Sequence, residues 1–320
     1  MPLDYPALAE SFSRLLETHP SVTVLSHIHP DSDAIGTALG VYHWLKGQGI
    51  KVEVANATRE LPHYLDFLPS FSKIKNRMEF SDSLIIACDS GSIDRLGFEV
   101  TGRTIVAIDH HTTNTHFGAL NAVDPEAVAS AQIAYRLLEA IAPVSPESAT
   151  AFYAALISDT RNFTTNNVNA DVFALAEELV RRGVPVAQVT RQMLHRRSLA
   201  SLRILGAAIG SLELLHEARI AVMTVSQEDL ARTGARSSDL DGIVDYARSL
   251  VTVEVAVMIV QRRKEIKISL RSKGADVARI AQHFGGGGHI VAAGFELQDV
   301  DLKTARDRVV QRIEEAKVLG

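Results

Sequence analysis

Two adjacent histidines behind a carboxylate, Asp109-His110-His111, directly follow the apolar run Thr104–Ile108. Three consecutive groups that take up protons, water or a metal ion contribute little to the packing of a core. In an open α/β sheet, functional side chains collect beyond the carboxyl ends of the strands. The triplet therefore indicates an active-site segment at the end of a buried strand.

Three more polar clusters follow similar apolar runs. They contain His27 with Asp31 and Asp33, then Asp89, then Asp159. If the strands are parallel neighbours, the clusters meet in one crevice, where like charges raise each other's pKa and prevent all the carboxyls from ionising unaided. Divalent cations remove that conflict. Oxygen and imidazole ligands without thiolates favour Mn²⁺ or Mg²⁺, with Zn²⁺ or Fe²⁺ as alternatives.

The number of candidate ligands favours two metal ions over one. Such pairs lie roughly 3.5–4 Å apart, share a bridging carboxylate and acidify a water between them. The same ions neutralise charge on a phosphoryl group in line with that water. The chemistry expected from this constellation is hydrolysis of a phosphoester or a phosphoanhydride.

Each cluster also has a simpler explanation when it is taken alone. Asp33 could be the N-cap of the helix that follows it, Asp89 a turn residue, and Asp159 a solvated helix end. A tetraglycine, here 285–288, is more often a flexible linker than a phosphate cradle. The metal hypothesis depends on the joint occurrence of the clusters, each beside an apolar run.

The elements that must position these clusters alternate along the first part of the chain. Strands are predicted at 22–26, 50–55, 84–88 and 104–108, and helices at about 7–18, 33–47, 129–141, 147–158 and 170–182. This alternation predicts the α/β class, with a mostly parallel, doubly wound sheet. Small residues such as Gly36 and Gly40 would let the second helix approach the sheet closely.

The rest of the chain has a different composition. Residues 185–215 are predicted to be helical without a strand; strands follow at 219–225, 253–260 and 265–270, and helices at 275–284 and 302–317. These elements predict a smaller α+β domain. The expected domains are a metal-binding domain at 1–190 that carries the polar clusters, a helical connector at 191–215 and the α+β domain at 216–320.

Composition excludes several classes of protein. With 33 Lys and Arg against 38 Asp and Glu, the net charge of −5 disfavours binding to long duplex nucleic acid. The lone cysteine, Cys88, allows no internal disulfide and lies in an apolar run, as a core residue would. No apolar stretch approaches the roughly 20 residues that span a bilayer, and the N-terminus lacks a secretory pattern. We therefore expect a cytoplasmic protein without a membrane partner.

The order of the clusters resembles the DHH phosphoesterase superfamily: His-x-x-x-Asp-x-Asp, then Asp, then Asp-His-His, then Asp-Thr. The segments Leu270-Arg271-Ser272, 285–289 and 292–295 resemble its DHHA1 domain. The pairing is most similar to the NrnA-type group of oligoribonucleases and pAp phosphatases, which act on very short RNA and on 3′-phosphoadenosine 5′-phosphate (pAp). Cyclic-di-AMP and pApA phosphodiesterases share the same layout.

The resemblance implies a role for each matching position. His27 and Asp31 would hold one metal ion, and Asp33, His110 and Asp159 the other, with Asp89 as the bridge. His111 would face the substrate phosphate, oriented from behind by Asp109. The implied substrate contacts are Arg271, Gly286, Gly287, Gly288 and His289.

Two residues depart from the family pattern beside the metal ligands. His29 stands where an uncharged residue is common in the family. The imidazole would serve as a spare ligand or as a substrate contact. Arg161 adds a cation near the metal site.

The expected activity is hydrolysis of short RNA to mononucleotides, and of pAp to AMP and phosphate, with two divalent ions, Mn²⁺ being favoured. The alternative is a cyclic-di-AMP or pApA phosphodiesterase. A manganese-dependent pyrophosphatase is disfavoured because the glycine-rich segment suits a nucleotide. A nucleotide sensor without activity would have a broken metal site, whereas every ligand is present. The resemblance also implies a homodimer.

Overall fold

The computed structural model describes residues 3–263 and 265–318. Contacts within the chain divide it into two compact units, with the division between Arg196 and Arg197.

The first unit is built on a five-stranded parallel sheet of order β2-β1-β3-β4-β5. The strands are β1 (Val22–Ser26), β2 (Val52–Ala55), β3 (Leu84–Cys88), β4 (Ile105–Asp109) and β5 (Leu120–Val123). The helices are α1 (Tyr5–Thr18), α2 (Ser32–Gly47), α3 (Ser130–Glu139), α4 (Pro146–Asp159), α5 (Ala170–Arg181) and α6 (Val186–His195). The α/β class and the mostly parallel sheet are confirmed.

The connections cover both faces of this sheet. Alternate strand residues such as Val22 and Val24 pack with the α-helices, while Leu25 faces the opposite core. That second core is covered by loops and by a short 3-10 segment, Ile93–Leu96. Since the strands are parallel and in register, with Ser26 beside Cys88 and Cys88 beside Ile108, their carboxyl ends lie at one edge.

Two expectations about α2 are wrong. Asp31 is its N-cap, because its carboxylate accepts the N–H of Ala34 at 3.1 Å, whereas Asp33 lies in the first turn. Gly36 and Gly40 allow α2 to pack closely against α4, and not against the sheet. A Cβ on Gly36 would lie 2.6 Å from the carbonyl oxygen of Ala151, and one on Gly40 would lie 2.2 Å from the Phe152 ring.

The second unit contains a six-stranded sheet of order β10-β11-β9-β8-β7-β6, in which β7 and β8 are the parallel pair. The strands are β6 (Glu213–Leu215), β7 (Ile220–Val225), β8 (Val255–Gln261), β9 (Glu265–Ser272), β10 (Gly287–His289) and β11 (Ala292–Gln298). The helices are α7 (Leu199–Gly210), α8 (Gln227–Thr233), α9 (Ile243–Arg248), α10 (Val277–His283) and α11 (Leu302–Glu315). The mixed sheet with helices agrees with the predicted α+β class.

The helices cover the two faces of this sheet unequally. On one face α10 and α11 pack against residues from β7 to β11. On the other face α7 and α9 pack against β7 and β8, through side chains such as Ile204 and Ala247. The expectation that 185–215 is helical throughout is wrong, because α6 and α7 are separate and 213–215 form a strand. The domain boundaries at 190 and 216 stay a proposal.

None of the helices within the described ranges combines the length and the apolar character that crossing a membrane requires.

Candidate metal centre and active site

The polar clusters converge at the carboxyl ends of β1, β3 and β4. His27 and Asp89 directly follow β1 and β3, Asp109 is the last residue of β4, and Asp159 is the last residue of α4. The backbone of Asp89 is left-handed, with φ of 55°. A non-glycine residue held in this region of backbone space is strained, and such strain is found most often at functional sites. The sheet edge therefore carries the candidate site.

One group of potential ligands consists of His27, Asp31 and Asp89, whose ligand atoms all lie within 4.8 Å of one another. The Nε2 atom of His27 lies 3.4 Å from Oδ2 of Asp89. Its Nδ1 atom lies 2.8 Å from the carbonyl oxygen of Ile28 and 3.1 Å from a guanidinium nitrogen of Arg95, so Nε2 is the ring nitrogen that faces the carboxylates. The geometry suits one metal ion.

A second group consists of Asp33, His110 and Asp159, again within 4.8 Å. The Nε2 atom of His110 lies 3.9 Å from an oxygen of Asp33 and 3.4 Å from one of Asp159. It also lies 3.7 Å from Oδ1 of Asp89. Asp89 thus presents one oxygen to each group, which is the arrangement required of a bridging ligand.

Burial and mutual repulsion shift the pKa values of these carboxyls. Asp33 and Asp89 are 0% and 1% exposed. Burial, together with the charge of Asp89, raises the pKa of Asp33 to about 7, and burial raises that of Asp159 well above its ordinary value. Although burial opposes ionisation of Asp89, its hydrogen bond with His27 and the charges of His110 and His111 lower its pKa to about 2. The protein therefore pairs an ionised Asp89 with carboxyls that need a cation to ionise, and this donor set fits divalent metal ions.

The N-terminus of α3 holds two of the carboxylates. Asp33 accepts the backbone N–H groups of Ser130 at 2.6 Å and Ala131 at 3.1 Å, and the hydroxyl of Thr37 at 2.9 Å. The hydroxyl of Ser130 donates to Asp89 at 2.9 Å. Ser130 was missed from the sequence because a serine at the start of a predicted helix has an ordinary capping explanation. Its contacts instead orient candidate ligands of both groups.

Asp109 supports His111 from behind. It is fully buried, its Oδ1 lies 2.7 Å from Nδ1 of His111, and its Oδ2 accepts the side-chain amide of Asn114 at 2.6 Å. The hydrogen bond with Asp109 raises the pKa of His111 to about 9, against the effect of burial. The half-exposed imidazole is therefore a cation at neutral pH, able to stabilise phosphoryl charge or to donate a proton. Asn114, which also donates to the carbonyl of Ser90 at 3.1 Å, was another residue missed.

The two departures from the family pattern differ in their surroundings. His29 is exposed, and its backbone N–H donates to the hydroxyl of Thr58 at 2.8 Å. In the described residues it belongs to neither of these two groups nor to a third, Asp89 with His110 and His111, that could hold a metal, so its geometry gives no support to a spare ligand. Arg161 begins a run of three left-handed residues after α4, and its charge lowers the pKa of Asp159 against the larger effect of burial.

In the second unit, two of the predicted substrate contacts, Arg271 and His289, share one face of the sheet. His289 pairs with Ala292, and Ala292 pairs with Arg271, so the three side chains form a row across β10, β11 and β9. Strand spacing separates the outer two by about 10 Å. The same face continues in Ser269 and Gly294, while alternate residues such as Leu270 and Phe295 point into the core. A shallow surface with a small-residue floor results.

The glycine run is a formed structure and not a flexible linker. Gly285, with φ of 80°, follows the end of α10. A Cβ on Gly286 would lie 2.3 Å from the carbonyl oxygen of Gly294, and one on Gly288 would lie 2.5 Å from that of Ala292. At Gly287 a Cβ would meet open space. Gly286 and Gly288 are therefore needed for the close approach of β10 to β11. Gly287 has open space where a side chain would lie.

The chain matches two family models: that of the DHH family, N-terminal domain, over residues 21–157, and that of the DHHA1 domain over residues 217–317. These matches confirm the resemblance seen in the motifs.

Individual relatives match most of the chain. A Thermus thermophilus protein named bifunctional oligoribonuclease and PAP phosphatase NrnA is 33% identical over 92% of this chain and 89% of its own. A Listeria monocytogenes protein named cyclic-di-AMP phosphodiesterase PdeA is 24% identical over 96% of this chain and 49% of its own. The crystal structure of an exopolyphosphatase-related protein from Bacteroides fragilis superposes with a TM-score of 0.91 at 26% identity, covering 97% of this chain and 96% of that one.

Proposed function

This chain belongs to the DHH family of phosphoesterases and carries a DHHA1 domain, and we propose that it hydrolyses short oligoribonucleotides to mononucleotides and pAp to AMP and phosphate. The 33% identical relative, which is named for both activities, supports this proposal over nearly the whole chain. The observation that carries it is the position of Asp89, whose carboxylate contacts both groups of potential metal ligands.

We further propose that the site holds two divalent ions, with Mn²⁺ favoured over Mg²⁺. His27 and Asp31 would bind one ion, Asp33, His110 and Asp159 the other, and Asp89 would bridge them. The donors are oxygen and imidazole, which suits these ions. Cys88 belongs to none of the described groups that could hold a metal, because its side chain lies in the apolar core of the sheet.

The remaining candidate residues of the two units have separate tasks in this proposal. When bound, the two ions supply an acidified water and neutralise charge on the phosphoryl group. The His111 cation faces that phosphate and protonates the leaving oxygen, while Asp109 fixes its orientation. In the second unit, Arg271 and His289 bind the terminal phosphate of a short substrate, and the backbone at 286–288 approaches it closely.

A cyclic-di-AMP or pApA phosphodiesterase is the second candidate, favoured by the similarity to the Listeria protein. That relative is about twice as long as the region matched, so its activity is a weaker guide. The homodimer, the cytoplasmic location and the exclusion of long duplexes stay predictions.

The test is Mn²⁺-supported hydrolysis of pAp, a diribonucleotide, a triribonucleotide, pApA and cyclic-di-AMP, assayed side by side. We expect turnover of pAp and the short RNAs, reduced at least about a thousandfold by Asp89→Ala and about 10²–10⁴-fold by His111→Ala. Asp94→Ala, at an exposed carboxylate of the same loop, is the matched control and should retain activity. Equal rates in all proteins would reject the site, turnover of cyclic-di-AMP or pApA alone would favour the second candidate, and binding without turnover would indicate a sensor.

A further inference from the structure

A pocket of about 410 Å³ opens in the first unit at the carboxyl end of the edge strand β2. Its size lies in the range of pockets that bind small ligands. Its walls include Asn56, Arg59, Leu61, Ile74, Lys75 and Arg77. The pocket therefore combines cationic, amide and hydroxyl groups with a short apolar wall.

The charges that line this pocket are predominantly positive. Lys75 and Arg77 both pair with the carboxylate of Glu79. Arg59 is exposed. Among the residues that the structure describes, no partner forms a hydrogen bond or an ion pair with its side chain. Three cations against one carboxylate leave an excess of positive charge on a chain whose net charge is −5. Arginine side chains bind phosphate well because their planar donors match its oxygens.

The pocket is joined to the candidate metal centre by hydrogen bonds. The side-chain amide of Asn56 donates to the carbonyl oxygen of His27 at 2.9 Å. Its oxygen accepts the N–H of Thr58, whose hydroxyl in turn accepts the N–H of His29. Since β1 and β2 are neighbours, their carboxyl ends lie only about 5 Å apart. The pocket and the candidate metal centre are therefore neighbours at the same edge of the sheet.

We propose that this pocket binds a backbone phosphate of an oligonucleotide substrate, one or more nucleotides away from the bond that is cleaved. The inference rests on the proposed function. Arg59 and Arg77 bind the phosphate, and Leu61 and Ile74 pack against the adjoining ribose or base. Because pAp has a single nucleoside, it gains less from this subsite than an oligonucleotide does. The pocket therefore sets the preference between the two kinds of substrate.

The test compares the double variant Arg59→Ala/Arg77→Ala with a control that removes two exposed arginines elsewhere in the same unit, Arg14→Ala/Arg181→Ala. We expect the ratio of kcat/KM for a pentaribonucleotide to that for pAp to fall about tenfold in the pocket variant, through KM. The KM for the pentanucleotide should also depend less steeply on salt concentration, by the amount expected for the loss of about one phosphate contact. The control should keep the wild-type ratio. An unchanged ratio in the pocket variant would overturn the proposal.

A binding measurement separates this inference from the proposed function. Fluorescence anisotropy of a labelled pentaribonucleotide in EDTA reports binding without turnover. We expect about tenfold weaker binding by the pocket variant than by the control. If the wild-type protein cleaves none of the substrates, the proposed function fails, and the anisotropy result alone decides whether the pocket binds RNA. Equal affinity in the two variants would reject the pocket whatever the activity.

Discussion

The two sheets of this protein place their polar side chains in opposite ways. In the first unit, parallel strands end at one edge, so Asp33 and Asp89 crowd into a buried cluster in which both carboxyls have strongly shifted pKa values. In the second unit, the half-buried Arg271 and the exposed His289 lie in a row on one face of the sheet, kept apart by the strand spacing. Among the described groups of that unit, the resolved pKa shifts belong to exposed pairs or helix caps such as Arg306 with Glu213. Side chains that converge can act together on one reacting group, whereas side chains that are held apart are suited to binding separate parts of a substrate.

Among the changes that test this comparison of the two sheets, removing the charge behind His111 should give the largest loss of activity. In Asp109→Asn, an amide replaces the carboxylate that contacts Nδ1 at 2.7 Å, so the imidazole loses the partner that keeps it cationic. We expect kcat for pAp to fall about 10²–10⁴-fold while KM and Mn²⁺ affinity change little. Steady-state kinetics and calorimetric titration with Mn²⁺ check this, with Asp94→Asn as the control. A kcat close to that of the wild-type protein would remove Asp109 and His111 from the chemistry.

A substitution on the sheet face that carries Arg271 and His289 should instead weaken substrate binding. His289→Ala removes one end of the row, and we expect the KM for pAp to rise about tenfold at nearly constant kcat. His283→Ala, at an exposed histidine on the neighbouring helix α10, is the matched control. A fall in kcat at constant KM would contradict the division of labour between the sheets.

The pH dependence of stability should give the smallest effect, and it should arise in the first unit. The folded protein holds the proton of His111 up to a pKa of about 9, whereas the unfolded chain releases it near 6.5. This stabilisation is complete below pH 6.5 and is lost as the pH rises through 9, because the folded state binds more protons over that interval. The raised pKa of Asp33, about 7, acts in the same direction below pH 7.

Thermal unfolding followed by circular dichroism in EDTA tests this expectation. The Tm of the metal-free protein should fall between pH 6.5 and 9, and His111→Gln should flatten the decline. A wild-type Tm that stays constant or rises over this interval would show that the buried cluster does not govern stability in the absence of metal.

The sequence predicted the strands that carry the site because each is an apolar run closed by a polar cluster. β1 and β3 begin and end where the pattern indicated, and buried parallel strands must bring their ends together. The short strand β5 was not predicted, because half of its four residues are asparagine and alanine and its side chains are mostly half-buried. The six-residue helix α9 was missed because it is too short to show a period.

The supporting residues of the site could not be predicted for a different reason. Ser130 contacts Asp89 from 41 positions away and Asp33 from 97 positions away, so no local pattern records these hydrogen bonds. The capping role was assigned to Asp33 and belongs to Asp31, since two aspartates two positions apart satisfy the same rule. Geometry alone decides between them.

The contact between α2 and α4 has a consequence for the metal centre. Asp33 lies in the first turn of α2, Asp159 is the last residue of α4, and both face His110. Gly36 and Gly40 determine how near the two helices lie. The separation of the Asp33 and Asp159 carboxylates is therefore tied to the bulk of the side chains where the two helices cross, one and two turns away from Asp33. A larger side chain at Gly36 or Gly40 would meet α4 directly and push these two carboxylates apart, although neither glycine is a candidate ligand.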